Sequence, residues 1–425
     1  MWATDDGRTI AQNPAGAGLD SSDNDRRVAD WNGLCLPDDA PVAARAELSG
    51  ARDRTAEDGG AHWTSIRNNL PPVAVRDLVV HPRDNDLILA THGRGIWILD
   101  DITAVQQAAA AADGGDPLVY QPRPAVRYQM WQKDGNLGQR TFTASNPPYG
   151  ALIYYRLARL ASESKDGVSI TITEKSGRVV REIGNAPAAA GVNRAVWDLR
   201  YTGAARTTSE RFGEGGPIKG PLVVPGEYTV RVQVGASTQT RALQVDSDPR
   251  ITISLADVQG ERDALLSLRD MTVRINRVID RAADLAQQLA PLGDQFKRSS
   301  AASVTGDNGA HSSDGATQLT GAAAAVAQLQ QHLDSLLAPL TRAFPEIRSM
   351  HRWPPGLRDE VGSSAAAIEL ATAPLTEPQQ ARLKELAEAT NEVVAEMNGI
   401  VDREVPKLNR ALSSQPRPVP GPAIR

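Results

Sequence analysis

The chain has 425 residues, with 46 Lys and Arg against 51 Asp and Glu and a formal net charge of −5. That length accommodates about two to four domains, and the mildly acidic balance excludes nucleic-acid binding driven by bulk charge as well as a polybasic membrane anchor. Cys35 is the only cysteine, so no intrachain disulfide and no cysteine zinc site can form, and no run of apolar residues approaches the ~18 needed to span a membrane.

The aromatics divide the chain. Of 7 Trp, 7 Tyr and 4 Phe, only Phe296, Phe344 and Trp353 lie after Tyr228. Met1 to Gly7 has neither a basic segment nor an apolar core of the kind that directs export, although its pattern resembles a strand and turn. Residues 1–55, rich in Ala, Asp, Gly, Pro and Arg, hold no sustained period and read as irregular or poorly ordered. Four short strands follow in residues 56–103: Trp63 to Ile66, Arg76 to Val80, Leu87 to His92 and Gly95 to Asp101. Turn material separates them, and the short loops make the meander antiparallel.

Residues 104–150 form an alanine-rich and then proline-bearing linker, expected to run extended. In 151–248, strands at Ala151 to Ala158, Val168 to Thr173, Arg178 to Ile183, Asn193 to Arg200, Gly226 to Val234 and Thr238 to Val245 alternate apolar and polar residues, as in an immunoglobulin-like sandwich. The glycine-bearing insert from Gly203 to Gly220 reads as a mobile loop.

After Asp248-Pro249 the period becomes 3.6. Ser254 with Asp257 resembles a capping box. The helix behind it, striped by Leu265, Leu268, Ile275, Ile279, Ala282, Ala286 and Leu289, is expected to reach Ala290. Residues 293–317 read as a flexible loop, and Leu319 to Ala343 as a second helix. A third, capped by Thr376 and Gln379, carries Leu383, Leu386, Val393, Met397, Ile400, Leu408 and Leu412. Residues 249–413 thus predict a helical hairpin or bundle with antiparallel neighbours, and 414–425 a disordered proline-rich tail. The fold class expected is multidomain β plus α: partial β-propeller blades, an immunoglobulin-like β-sandwich and a C-terminal antiparallel helical bundle.

Glu57-Asp58-Gly59-Gly60-Ala61-His62-Trp63 fits the Asp-box pattern S/T-x-D-x-G-x-x-W, with Ala56 in place of the hydroxyl residue. In such a hairpin tip Asp58 accepts bonds from turn amides, Gly60 supplies the turn backbone and Trp63 packs beneath. With Asn69-Leu70-Pro71-Pro72-Val73, Arg76-Asp77-Leu78-Val79-Val80-His81-Pro82 and Thr91-His92-Gly93-Arg94-Gly95-Ile96-Trp97, the region resembles the last blade of bacterial sortilin-like, BNR (Asp-box) repeat propeller proteins, often labelled glycosyl hydrolases. The resemblance runs from Ala56 to Leu412 through Ser145-Asn146-Pro147-Pro148-Tyr149-Gly150, Val196-Trp197-Asp198-Leu199-Arg200 and Pro225-Gly226-Glu227-Tyr228. It implies an immunoglobulin-like domain and a helical region after the propeller, and a periplasmic or secreted location, against which this sequence shows no export signal. A propeller closes with at least about four blades, and this chain carries about one and a half. It is therefore expected to be a C-terminal portion of a larger protein, or to be completed by a partner chain.

Two readings stand for His92 and Arg94: a loop at an axial cavity, where arginine holds a carboxylate or glycan anion, or a plain turn, which is the blander and favoured one. Asp100 and Asp101 offer carboxylates for glycoside hydrolysis, but neighbours on a strand point to opposite faces, which favours ending the strand and capping a helix. No catalytic residue is assignable from the sequence, and neither cofactor nor metal is expected. The expected function is non-catalytic binding or scaffolding, with a protein, peptide or glycan as ligand and without nucleic acid or a membrane span. The alternative is an Asp-box glycoside hydrolase of the sialidase-like class whose catalytic blades lie outside this chain.

Overall fold

The computed structural model describes residues 2–3, 45–49, 52–56, 64–65, 69–71, 73–108, 115–129, 146–158, 167–208, 219–305, 313–340, 355–371, 373–412, 418 and 424. It is a β plus α protein that divides into two compact units: Met1–Leu199 with Pro225–Asp248, and Arg200–Val224 with Pro249–Arg425.

In the first unit, strand β1 (Trp2–Ala3) is followed by β2 (Arg45–Ser49), β3 (Arg52–Ala56) and β4 (Thr64–Ser65), and then by β5 (Val75–Val80), β6 (Leu87–Thr91) and β7 (Ile96–Leu99). Strands β5, β6 and β7 form the antiparallel meander read from the sequence, with Val79 opposite Ile88 and Leu89 opposite Trp97. Two features depart from that reading. The fourth place in the sheet belongs to β1, which runs parallel to β7, whereas β4, within the stretch assigned to the meander, pairs with β3. Strands β2 and β3 also form a hairpin where an irregular segment was expected. Its register sets Glu47 opposite Arg54. Leu70, Leu87, Leu89 and Ile102 are the buried centre of the meander's core.

Strands β8 (Leu118–Val119), β9 (Ala125–Arg127), β10 (Ala151–Leu157), β11 (Val168–Glu174), β12 (Val179–Ile183), β13 (Gly191–Trp197), β14 (Gly226–Val234) and β15 (Ser237–Ser247) complete the unit. They build a three-stranded sheet, β13-β10-β8, and a five-stranded one, β12-β11-β14-β15-β9. In the segment expected to be an extended linker, the described residues begin in a short helix and then lend an edge strand to each sheet, β8 antiparallel to β10 and β9 parallel to β15. Pro122 and Pro124 fall between those two short strands, where no ladder amide is required of them. Alternate residues are buried along the longer strands: Ile170 and Ile172, Tyr228, Val230 and Val232, Leu243 and Val245. The Trp197 ring of the smaller sheet meets the Tyr228 ring of the larger one. At Gly150 the backbone has φ 123°, and a Cβ there would lie 2.0 Å from the Trp197 carbonyl oxygen, so only glycine fits.

The short helix α1 (Thr103–Gln106) belongs to the first unit. The second unit holds α2 (Leu255–Thr305), α3 (Ser313–Leu337), α4 (Leu357–Leu370), α5 (Glu377–Gly399), a π-helical turn (Ile400–Glu404) and α6 (Val405–Ala411). The Ser254 hydroxyl caps α2 by accepting from the Asp257 amide at 3.1 Å, and Thr376 with Gln379 forms a full capping box on α5, both as the sequence indicates. Helix α2 does not stop near Ala290. It passes through Pro291 because Leu285, Leu289, Leu292 and Phe296 continue its buried stripe, and that burial outweighs the ~3 kcal/mol a mid-helix proline costs. Most of residues 293–317, expected to be a flexible loop, are therefore helical. Helix α4 was not foreseen. All five helices contribute to one core, Leu268, Ile275 and Leu289 meeting Val326, Leu333, Val361, Leu386, Met397 and Leu408. In the expected disordered tail, the Ile424 amide donates to Asn398 Oδ1 at 2.9 Å and the Pro418 carbonyl accepts from Asn409 at 3.0 Å.

The insert expected to be a mobile loop is fixed at its described ends. Arg200 and Leu222 form an antiparallel bridge, and the Tyr201 amide donates to the Pro221 carbonyl at 2.9 Å. From there the chain lies extended along α2. The Thr202 carbonyl accepts from Arg269 at 3.2 Å, the Ala205 carbonyl from Asn276 at 2.7 Å, and Asp280 from the Thr208 amide at 2.8 Å and from the Thr207 hydroxyl. Thr202 to Thr207 is five residues of extended chain, about 16 Å. Arg269 to Asp280 is eleven helical residues, also about 16 Å. The two repeats keep step over this length.

Candidate functional site

The β6–β7 turn carries the two residues singled out as ligand-binding. Thr91 builds it: its amide and hydroxyl both donate to the Gly95 carbonyl, at 3.0 and 2.7 Å, and the hydroxyl accepts from the Arg94 amide at 3.1 Å. Trp97 Nε1 donates to the Arg94 carbonyl at 3.1 Å, and the His92 amide ties the turn to the Ala74 carbonyl at 2.9 Å. With the backbone so fixed, the side chains of His92 and Arg94 are exposed. Asp58, Gly60 and Trp63, the Asp-box residues, lie outside the described residues.

Beside this turn is a residue that sequence reasoning missed. The ladder between β5 and β6 shifts register between Val75 and Asp77, which leaves Arg76 as the extra residue of a bulge. Bulges re-aim side chains. Arg76 is only 6% exposed, and its Nε has no hydrogen-bond partner. The adjacent Asp77 accepts from the Leu78 amide through Oδ1 at 2.8 Å. A buried Nε–H without an acceptor carries a desolvation cost that a hydrogen-bond acceptor would offset. No local motif announces a bulge, so the sequence carried no signal for it.

At the far end of β7 the paired aspartates are both buried, and they diverge. Asp101 has φ 47°. Its Oδ1 accepts from the Thr103 amide at 3.1 Å and from the Thr103 hydroxyl, capping the turn into α1, with Asn85 Nδ2 at 3.4 Å and Arg123 Nη1 at 3.7 Å. Asp100 faces Arg194, Oδ2 to Nη1 being 3.9 Å, while its carbonyl accepts from the Tyr154 hydroxyl at 3.3 Å. Burial, with the Asp101 charge in support, pushes the Tyr154 hydroxyl up to about 12, so it serves as a donor.

The β5–β6 turn closes this polar knot. Asn85, at φ 58°, exchanges bonds with the Gln106 amide at 2.8 and 3.1 Å. Asp86 Oδ1 accepts from the Asp101 amide at 2.9 Å, yet burial still raises its carboxyl above the ordinary value. Arg83, bonded to Asp84 at 2.7 Å, holds that carboxyl below it, with the His81 charge adding to the effect. Arg123 donates to the carbonyls of Arg83 and Asp84. Several of these contacts fix backbone: Asp86 holds the Asp101 amide, Asp101 the Thr103 amide, and Arg123 the carbonyls of Arg83 and Asp84. The arrangement holds a hairpin end and a helix start in register, with Asp100 and Asp101 turned to different partners.

Among the described residues, no three His, Cys, Asp or Glu side chains converge as metal ligands, and no helix is long and apolar enough to cross a membrane. No protein-family model matches the sequence, and no curated protein matches it either.

Proposed function

We propose that the chain is a non-catalytic binding or scaffolding part of a sortilin-like, Asp-box propeller protein, with a blade-like meander, an immunoglobulin-like sandwich and a C-terminal antiparallel helical bundle. The antiparallel run β5–β6–β7, the Trp197–Tyr228 contact between two sheets and the core shared by α2 to α6 support those three assignments. The periplasmic or secreted location is part of the same proposal and rests on the resemblance.

The observation that carries the non-catalytic reading is the commitment of Asp100 and Asp101 to Arg194, Thr103 and Arg123. What the meander offers instead is the guanidinium of Arg94, exposed beside His92 on a turn held by its backbone bonds, with Arg76 on the adjoining strand. A protein, peptide or glycan bearing a carboxylate suits that chemistry, since guanidinium forks match carboxylates in two parallel hydrogen bonds. The test is a binding screen of the full chain against acidic glycans and peptides, run beside assays with sialosides and aryl glycosides. Saturable binding weakened by Arg94→Ala, without turnover, is the expected result. Saturable hydrolysis by the chain would overturn the reading in favour of a glycoside hydrolase.

A further inference from the structure

His332 projects from α3 toward the α5–π–α6 segment with a carboxylate at each ring nitrogen. Nε2 lies 3.0 Å from Glu396 Oε1, and Nδ1 lies 2.9 Å from Glu404 Oε1. A neutral imidazole has one N–H and one lone pair. Against two ionised carboxylates it satisfies one, and turns its lone pair on the other. Only the imidazolium donates to both.

The two glutamates reach one ring because of a local irregularity in the helix. Eight residues along an unbroken α-helix turn through about 80° beyond two full turns, which would set Glu396 and Glu404 on different faces. The π turn Ile400–Glu404, marked by the Val405 amide bonding back to the Ile400 carbonyl, takes up one extra residue. Eight positions then turn as seven do, leaving a divergence of about 20°. Pro406 supplies the local cause, since it has no N–H for the carbonyl four residues earlier. The apolar side of the same turn, Ile400, Val401 and Val405, stays in the core.

We propose that His332, Glu396 and Glu404 form a proton-operated clasp that fastens α3 to the α5–π–α6 segment in its protonated form and releases one of its two ties on deprotonation. Helices α2, α5 and α6 all pack against α3. Glu396 from α5 and Glu404 from the π turn are the charged groups that bond the ring; α2 and α6 place no ion pair on it among the described residues. Burial alone would lower the His332 pKa, but the hydrogen bonds its ring donates to the two glutamates, with their charges, outweigh it and the net shift is upward. The sign follows. The clasp contributes fully below the ordinary histidine value of about 6.5, and its contribution is lost as pH rises through the higher folded-state value. All three side chains are one-third to one-half exposed, so the effect is modest and weakens with salt.

Histidine NMR on the full chain, which has six histidines, tests the clasp directly. His332→Gln identifies the resonance. The expected midpoint lies above about 6.5, falls in Glu404→Gln and in Glu396→Gln, and falls further in the double variant, while 15N shifts at neutral pH show both ring nitrogens protonated. In parallel, the Tm gap between the parent chain and Glu404→Gln should be widest in mild acid and close in alkali. A midpoint at or below the ordinary value, or a Tm gap that does not change with pH, would overturn the proposal. Should His332→Gln fail to fold, the single glutamate variants still decide it, since loss of the upward shift in either supports the clasp and its persistence in both refutes it.

Discussion

The Trp197 ring stands edge-on to the Tyr228 ring, centroids 5.3 Å apart and planes at 62°. Trp197 lies on the three-stranded sheet and Tyr228 on the five-stranded one. Both are buried, Trp197 completely. This contact joins two sheets that share no backbone ladder, so its loss should be felt by both. Trp197→Ala is expected to cost about 3–5 kcal/mol, read as a lower midpoint in denaturant, and Trp197→Phe a smaller amount. Equal stability of all three chains would show that the sheets are joined elsewhere.

Arg76 predicts the unusual sign. Replacing Arg76, whose Nε is buried without an acceptor, by an apolar side chain of similar length removes that atom's desolvation cost. Arg76→Met should therefore hold or raise the Tm, while weakening any carboxylate ligand found in the binding screen. A drop in stability comparable to that of a core deletion would mean that Arg76 is structurally satisfied.

The strap along α2 is pinned at its far end by Asp280, which takes both the Thr207 hydroxyl and the Thr208 amide. Asp280→Ala should cost roughly 1.5–3 kcal/mol, the usual worth of hydrogen bonds to a charged group. Hydrogen exchange should locate the effect, with the amides of residues 204–208 losing protection well before those of α2. Uniform loss across the unit would contradict a local pin.

Pro291 is exposed and stands inside α2. An interior proline disfavours a helix by about 3 kcal/mol relative to alanine, so Pro291→Ala should raise the Tm and straighten the signal near residue 291. An unchanged or lower Tm would indicate that the helix uses a bend at this point.

The same proline shows what was legible in the sequence. Local rules worked where the chemistry is local. The Thr376–Gln379 box, the Ser254 cap and the alternation around Tyr228 all stand where residue type alone put them. Pro291 and the small polar residues after it looked like a stop because the opposing vote, burial of Leu292 and Phe296, is cast by other helices. Pairing partners were less legible still. Nothing in Trp2-Ala3 names β7 as its neighbour, and nothing in Thr64-Ser65 excludes β5. At the candidate site, His92 and Arg94 were readable as a glycine-flanked turn, and Asp101 as a cap. Arg76 was not, because a bulge is a property of two strands in register, and sequence shows them one at a time.

Residues 200–224 belong to the helical unit, while the strands before and after them, β13 and β14, belong to the β unit. The chain thus changes allegiance three times, after Leu199, Val224 and Asp248. A single recombination or a single proteolytic cut cannot part the two units, as it could if they were joined end to end. During synthesis the strap leaves the ribosome before the helix it lies on, so its own partner is still to be made when the last two long strands, β14 and β15, emerge.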